Sequence, residues 1–156
     1  MAAKSLKLTL EDDAEFCVVG IHSPLSIVKL AYYINKYTPL NFTKQTVDHV
    51  LQIRKDQLVH FPIFTHTTDH LTLFLISNIS LDSEAAADIN TLFSVPVIHY
   101  FLEKNADAWI CFENTGVVDE QTIISQLKNV MPQTQLFPYK TTSPKYNKRL
   151  SWLFYE

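Results

Sequence analysis

The sequence predicts an α+β domain, a mostly antiparallel sheet with two or three helices packed on one face. Segments with strand character outnumber helical ones, and many neighbouring segments are joined by loops too short for the crossover that parallel strands need. The 156 residues, 47% of them hydrophobic, suffice for one ordinary core. We therefore expect residues 1–156 to form a single domain.

Two strands are predicted near the N-terminus. Apolar and polar residues alternate over residues 6–10, which is the period of a strand with one buried face. Residues 15–21 are apolar on both faces, which is typical of a strand in the interior of a sheet.

The first helix is predicted to open at Ser23-Pro24, with the serine as N-cap and the proline at the first helical position. Its core face consists of apolar residues at helical spacing, namely Ile27, Leu30, Ala31 and Ile34. The helix should end at Thr38-Pro39, because the residue before a proline is disfavoured in the helical region.

Strands dominate the middle of the chain. Residues 40–53 are rich in β-branched side chains and are predicted to be extended. Residues 58–65 and 71–77 are expected to form a hairpin that turns at Thr67-Thr68-Asp69. A short helix is predicted to start at Asp82-Ser83-Glu84.

Residues 97–103 and 108–112 are predicted to form another hairpin. Asp119 should cap a helix that Pro132 closes. The last two predicted strands cover residues 133–138 and 150–155.

Composition and charge narrow the functional classes. A net charge of -3 and a pI near 6.0 give no general basic field for a polyanion. Only two glycines occur, so a P-loop, a Rossmann fingerprint and a nucleophile elbow are missing. Cys17 and Cys111 lie in apolar runs typical of buried, reduced thiols, and neither a signal peptide nor a membrane span is recognisable. We expect a cytoplasmic protein that needs no cofactor.

A group of histidines is the first candidate site. The side chains that could ligate zinc or iron lie within eleven residues of the chain: His60, His66, Asp69 and His70. Their spacing does not match a known zinc motif and no cysteine pair accompanies them. A polar turn beside a strand is the favoured interpretation.

The C-terminal segment is the second candidate site. It interleaves cations with aromatic rings, the pattern that single-stranded nucleic acid uses for phosphate contact and stacking. Its residues are Tyr139, Lys140, Lys145, Tyr146, Lys148, Arg149 and Trp152. The alternative is a solvated loop before an edge strand, where lysine discourages edge pairing.

The stretch Leu92-Phe93-Ser94, followed after three residues by Ile98-His99-Tyr100, resembles the region that names the IPExxxVDY family of small bacterial cytosolic proteins. The likeness runs through most of the chain. Ser94 and His99 replace the Glu and Asp of the signature, so what remains is apolar and aromatic, as in a packing motif. The resemblance implies a bacterial cytosolic protein and carries no established activity.

These observations favour a non-enzymatic protein-interaction module that self-associates as a homodimer through an exposed aromatic strand. Two alternatives stay open. One is an RNA-binding accessory protein that uses the C-terminal basic and aromatic segment. The other is a metal-dependent enzyme that uses the cluster of three histidines and Asp69. No membrane contact is expected under any of the three.

Overall fold

The computed structural model describes residues 16–55, 57–82, 97–141 and 143–155. In chain order, its strands are β1 Phe16–His22, β2 Thr43–Lys44, β3 His49–Arg54, β4 Gln57–Phe61, β5 Ile63–Thr67, β6 Thr72–Ser77, β7 Ile79–Asp82, β8 Val97–Tyr100, β9 Ala108–Glu113 and β10 Gln135–Tyr139. The helices of the same ranges are α1 Ile27–Tyr37, α2 Glu120–Leu127 and α3 Pro144–Tyr155.

A six-stranded sheet in the order β10-β1-β9-β6-β5-β2 forms the centre of the fold. Every neighbouring pair in it is antiparallel, and the pairs β3-β4 and β7-β8 form two small antiparallel sheets beside it. The predicted α+β fold with a mostly antiparallel sheet is confirmed, but the helices lie on both faces of the sheet and not on one, because each face is apolar and needs its own cover. Within the predicted strand over residues 15–21, the described residues 16–21 lie in the interior of the sheet as expected, because β1 lies between β10 and β9.

Each face of the sheet carries its own core. On one face, side chains such as Val19 and Ile110 pack against α1 and α2. On the other face, Val18 and Trp109 pack against α3 and the β3-β4 hairpin. Successive residues of a strand point to opposite faces, so the largely apolar strands β1 and β9 contribute side chains to both cores.

Helix α1 starts three residues later than the sequence indicated. The Ser23 backbone amide donates to Asp107, and the Ser23 hydroxyl accepts from the Leu25 amide, which holds this segment outside the helix. Ser26 is the N-cap instead, and its hydroxyl accepts from the Lys29 amide. The predicted end is confirmed, since Thr38 is the C-cap.

Helix α2 begins as predicted, with the Asp119 carboxylate accepting from the Thr122 amide at 2.8 Å. The hydrogen bonds from Thr122 lower the pKa of Asp119. The helix ends at Leu127, before the predicted stop at Pro132, and Asn129 then adopts a φ of 68°.

The predicted strand over residues 58–65 is two strands in different sheets. Pro62 separates them, because it lacks an amide hydrogen for the ladder. The hairpin at Thr67-Thr68-Asp69 is confirmed by the antiparallel pair β5-β6.

The predicted hairpin between residues 97–103 and 108–112 is wrong. Strand β8 pairs with β7, whereas β9 pairs with β1 and β6. The connection between β8 and β9 is bound to Asn78 instead, whose buried side chain hydrogen bonds Leu102, Glu103 and Ala106.

The predicted strand over residues 150–155 is also wrong, because these residues belong to helix α3. Two further predictions, the strand at residues 6–10 and most of the helix starting at Asp82-Ser83-Glu84, lie outside the described residues. None of the helices in the described ranges is long and apolar enough to cross a membrane.

Candidate functional site

The C-terminal segment folds as a helix because its start and its apolar spacing both favour one. Pro144 occupies the first helical position, and the Ser143 carbonyl accepts from the amide of Asn147. Tyr146, Leu150 and Leu153 recur at i, i+4 and i+7 and pack into the core on the α3 side of the sheet.

A second stripe of α3 faces solvent and carries its cations. Its residues recur at i, i+3, i+4 and i+7 and are Lys145, Lys148, Arg149 and Trp152, which we call the α3 stripe. The Lys148 amine lies 5.2 Å from the centre of the Trp152 ring, and the Lys145 amine lies 5.8 Å from that of Tyr146. The predicted interleaving of cations and rings is therefore present, on a helix rather than on a loop.

Arg149 is the half-buried member of the stripe. Its Nη1 donates to the carbonyls of Tyr100 at 3.0 Å and Phe101 at 2.8 Å, and its guanidinium lies 5.8 Å from the Tyr146 ring centre. Desolvation lowers the pKa of Arg149. The carbonyls fix the guanidinium in place, while most of its five N–H donors are left for other contacts.

A pocket of about 240 Å³ lies between α3 and the segment that contains β8. We call it the α3–β8 pocket; it is lined by Ile53, Ile98, His99, Tyr100, Leu102, Lys104, Lys145, Tyr146 and Arg149. The Lys104 amine lies 5.6 Å from the Tyr100 ring centre. Three permanent cations and two tyrosines thus border one small volume.

In the described part of the chain, no ion pair joins the cations of this site to a carboxylate, and the nearby Glu103 carboxylate interacts with Tyr139. The ion pairs found there are His22–Asp107 and Lys44–Asp48, both elsewhere. No Asp or Glu is among the described residues that line the α3–β8 pocket. Although the whole chain is acidic, this surface therefore carries a local excess of positive charge.

Two residues of the predicted surface lie outside α3. Tyr139 is buried, and its ring centre lies 4.8 Å from that of Trp109, so it supports the core and is not part of an exposed surface. Burial and the nearby Glu103 carboxylate raise the pKa of Tyr139 to about 12. Lys140 is exposed on the connection between β10 and α3.

The structure does not bring the predicted metal ligands together. His60 is exposed on β4, and His66 on β5 accepts a hydrogen bond from the Asn41 amide at 3.0 Å. Asp69 and His70 are exposed in the turn before β6 and line a different pocket from His66. Within the ranges that the structure describes, no three His, Cys, Asp or Glu side chains are grouped to hold a metal ion.

Both cysteines are buried, on opposite faces of the sheet, as the sequence indicated. Burial raises the pKa of the Cys111 thiol far above its usual range. A thiol in that state is a poor nucleophile, so Cys111 is inert.

Sequence reasoning missed three residues of the site: His99, Tyr100 and Lys104. They lie forty or more residues before the start of α3, and only the docking of α3 against β8 brings them to it. The helix itself had a weaker signal. Ser143-Pro144 is the same Ser-Pro start that was expected at Ser23-Pro24, where helix α1 begins three residues later.

A scan against protein-family models matches no family, and a search of the curated proteins finds no relative. The resemblance to the IPExxxVDY family therefore stays a prediction. The functional argument depends on the geometry of the α3 stripe and its pocket.

Proposed function

We propose that this protein is a non-enzymatic binding module for single-stranded RNA, and that the α3 stripe is its contact surface. One observation carries the proposal. Lys145, Lys148 and Arg149 share one face of α3 with Trp152, without a carboxylate partner among the described residues. Such a face offers cations for phosphates and an aromatic ring for a base.

The aromatic rings favour a nucleic acid over an acidic protein segment. An acidic peptide needs only the cations, whereas a base also stacks on an exposed ring. Trp152 is 37% exposed and Tyr155 is 62% exposed, so both rings offer accessible surface on α3. Single-stranded RNA suits this surface better than a duplex, because only unpaired bases can stack on side chains.

The self-association predicted from the sequence depended on an exposed aromatic strand over residues 150–155. Those residues form α3, and Leu150 and Leu153 are buried in the core. The homodimer therefore stays a prediction. The geometry supports the RNA alternative instead.

Removing two cations of the α3 stripe should weaken RNA binding and reduce its salt dependence. For the double variant Lys145→Ala/Lys148→Ala, we expect the slope of log affinity against log salt concentration to fall by about 1.4, since each phosphate contact on a single strand contributes about 0.7. The measurement is fluorescence anisotropy of a short labelled RNA at several salt concentrations.

A matched control is Lys36→Ala. Lys36 is an exposed lysine that lies over Tyr32 and Tyr37 on α1, which packs on the opposite face of the sheet. Its removal changes the net charge in the same direction but should leave the slope unchanged. The proposal is refuted if wild-type protein shows no salt-sensitive binding to RNA. It is also refuted if Lys36→Ala lowers the slope by as much as the loss of one stripe lysine does.

Replacing Trp152 by Ala should weaken RNA binding by about 1–3 kcal/mol, the usual contribution of one stacked base. The salt slope should stay the same, because no phosphate contact is lost. Anisotropy under the same conditions separates the two effects. A parallel loss of slope would mean that Trp152 only holds Lys148 in place and does not stack on a base.

A further inference from the structure

The α3–β8 pocket concentrates more charge than one phosphodiester requires. Lys104, Lys145 and Arg149 all border it. A phosphodiester carries a single negative charge, whereas a phosphate monoester carries about -1.5 to -2 at neutral pH. The charge of the pocket therefore matches a monoester better than an internal phosphate.

The size of the pocket points the same way. Its volume of about 240 Å³ lies below the range of about 300–1,000 Å³ found for sites that hold drug-sized ligands. A phosphate with its sugar is a smaller group and suits this volume. The pocket is therefore of a size to hold the end of a strand.

Hydrogen bonds within the protein hold the walls of the α3–β8 pocket in place without a ligand. Arg149 is fixed by the carbonyls of Tyr100 and Phe101, and the Asn78 side chain donates to the carbonyls of Glu103 and Ala106, which flank Lys104. Lys145 lies in the first turn of α3, where the helix dipole also favours an anion.

We propose that the α3–β8 pocket binds the terminal phosphate monoester of the RNA strand that lies along α3, with Lys104, Lys145 and Arg149 as its ligands. The inference rests on the proposed function, because the α3 stripe supplies the path of the strand. Lys145 belongs to both the stripe and the pocket, so it joins the two contacts. Lys104 borders the pocket but is not part of the α3 stripe. Its substitution therefore tests the pocket separately from the stripe.

The test compares three internally labelled RNAs of the same sequence, with a 5′-phosphate, a 3′-phosphate or hydroxyl groups at both ends. We expect one phosphorylated form to bind at least about tenfold more tightly than the form with two hydroxyl ends, because hydrogen bonds from charged donors gain from the extra charge. The preferred end identifies the direction of the strand on α3.

Two exposed lysines serve as matched variants. Lys104→Ala should abolish the preference for the phosphorylated end, and it should weaken binding of the hydroxyl form by no more than Lys148→Ala does. Lys148→Ala should weaken all three RNAs by the same factor and keep the preference. Equal binding of the three RNAs to wild-type protein would overturn the pocket assignment and leave the proposed function standing. Binding of none of them would overturn both.

Discussion

Replacing Asn78 by Asp is expected to lower the free energy of unfolding by about 4 kcal/mol. The Asn78 side chain is completely buried, and its Nδ2 donates to the Glu103 carbonyl at 2.6 Å and to the Ala106 carbonyl at 2.8 Å. Its Oδ1 accepts from the Leu102 amide at 2.9 Å. An aspartate of the same shape can still accept from the Leu102 amide. It cannot donate as the Asn78 amide does, so a carboxylate oxygen would face the carbonyl oxygens of Glu103 and Ala106.

The measurement is urea unfolding followed by circular dichroism. Asn105→Asp is the matched control, because Asn105 is exposed in the same connection and the substitution adds the same charge. The control should change the free energy of unfolding by less than about 0.5 kcal/mol. If Asn78→Asp is as stable as Asn105→Asp, the hydrogen bonds of Asn78 do not stabilise the connection between β8 and β9.

Replacing Gly20 by Ala is expected to lower the free energy of unfolding by about 2–3 kcal/mol, the upper part of the range for overpacking. Gly20 pairs with Phe137 across β1 and β10. A Cβ at position 20 would lie 2.2 Å from the Phe137 Cζ, far inside van der Waals contact. Moving the ring away would disturb its edge-to-face contact with buried Trp109, whose ring centre lies 6.1 Å from that of Phe137.

The double variant Gly20→Ala/Phe137→Ala separates overpacking from other causes. Without the Phe137 ring, an alanine at position 20 meets no clash, so the Gly20 substitution should cost little in that background. Urea unfolding of the two single variants and the double variant gives the coupling energy. An additive result would contradict the contact between the ring and the glycine.

Local signals explain which elements the sequence predicted correctly. Asp119 starts a helix because its carboxylate satisfies a free amide, and Pro39 ends one because the residue before it is kept out of the helical region. These effects act within four residues and are visible in one sequence.

The C-terminal part of helix α3 was wrongly predicted as a strand because its residues favour two different structures. Trp152, Phe154 and Tyr155 favour a strand by propensity, whereas Tyr146, Leu150 and Leu153 have the spacing of a buried helix face. The start at Ser143-Pro144 resolves the conflict in favour of the helix. Burial of Leu150 and Leu153 then stabilises it.

The remainder of the site could not be predicted, because it depends on pairing between distant residues. From the sequence, strand β8 could pair with β7 or with β9. In the structure it pairs with β7, and buried Asn78 stabilises this arrangement by hydrogen bonding the connection that follows β8. Lys104 reaches Lys145 and Arg149 only through that arrangement. No local pattern near Lys104 indicates it.

The most direct test of RNA binding by α3 is an NMR titration of ¹⁵N-labelled protein with short single-stranded RNA. The account predicts that amide shifts are confined to α3 and the residues around Tyr100 and Lys104, and that added salt reverses them. The amides of α1 should not shift, since α1 packs on the opposite face of the sheet. Shifts centred on α1, or no shifts at all, would contradict the account.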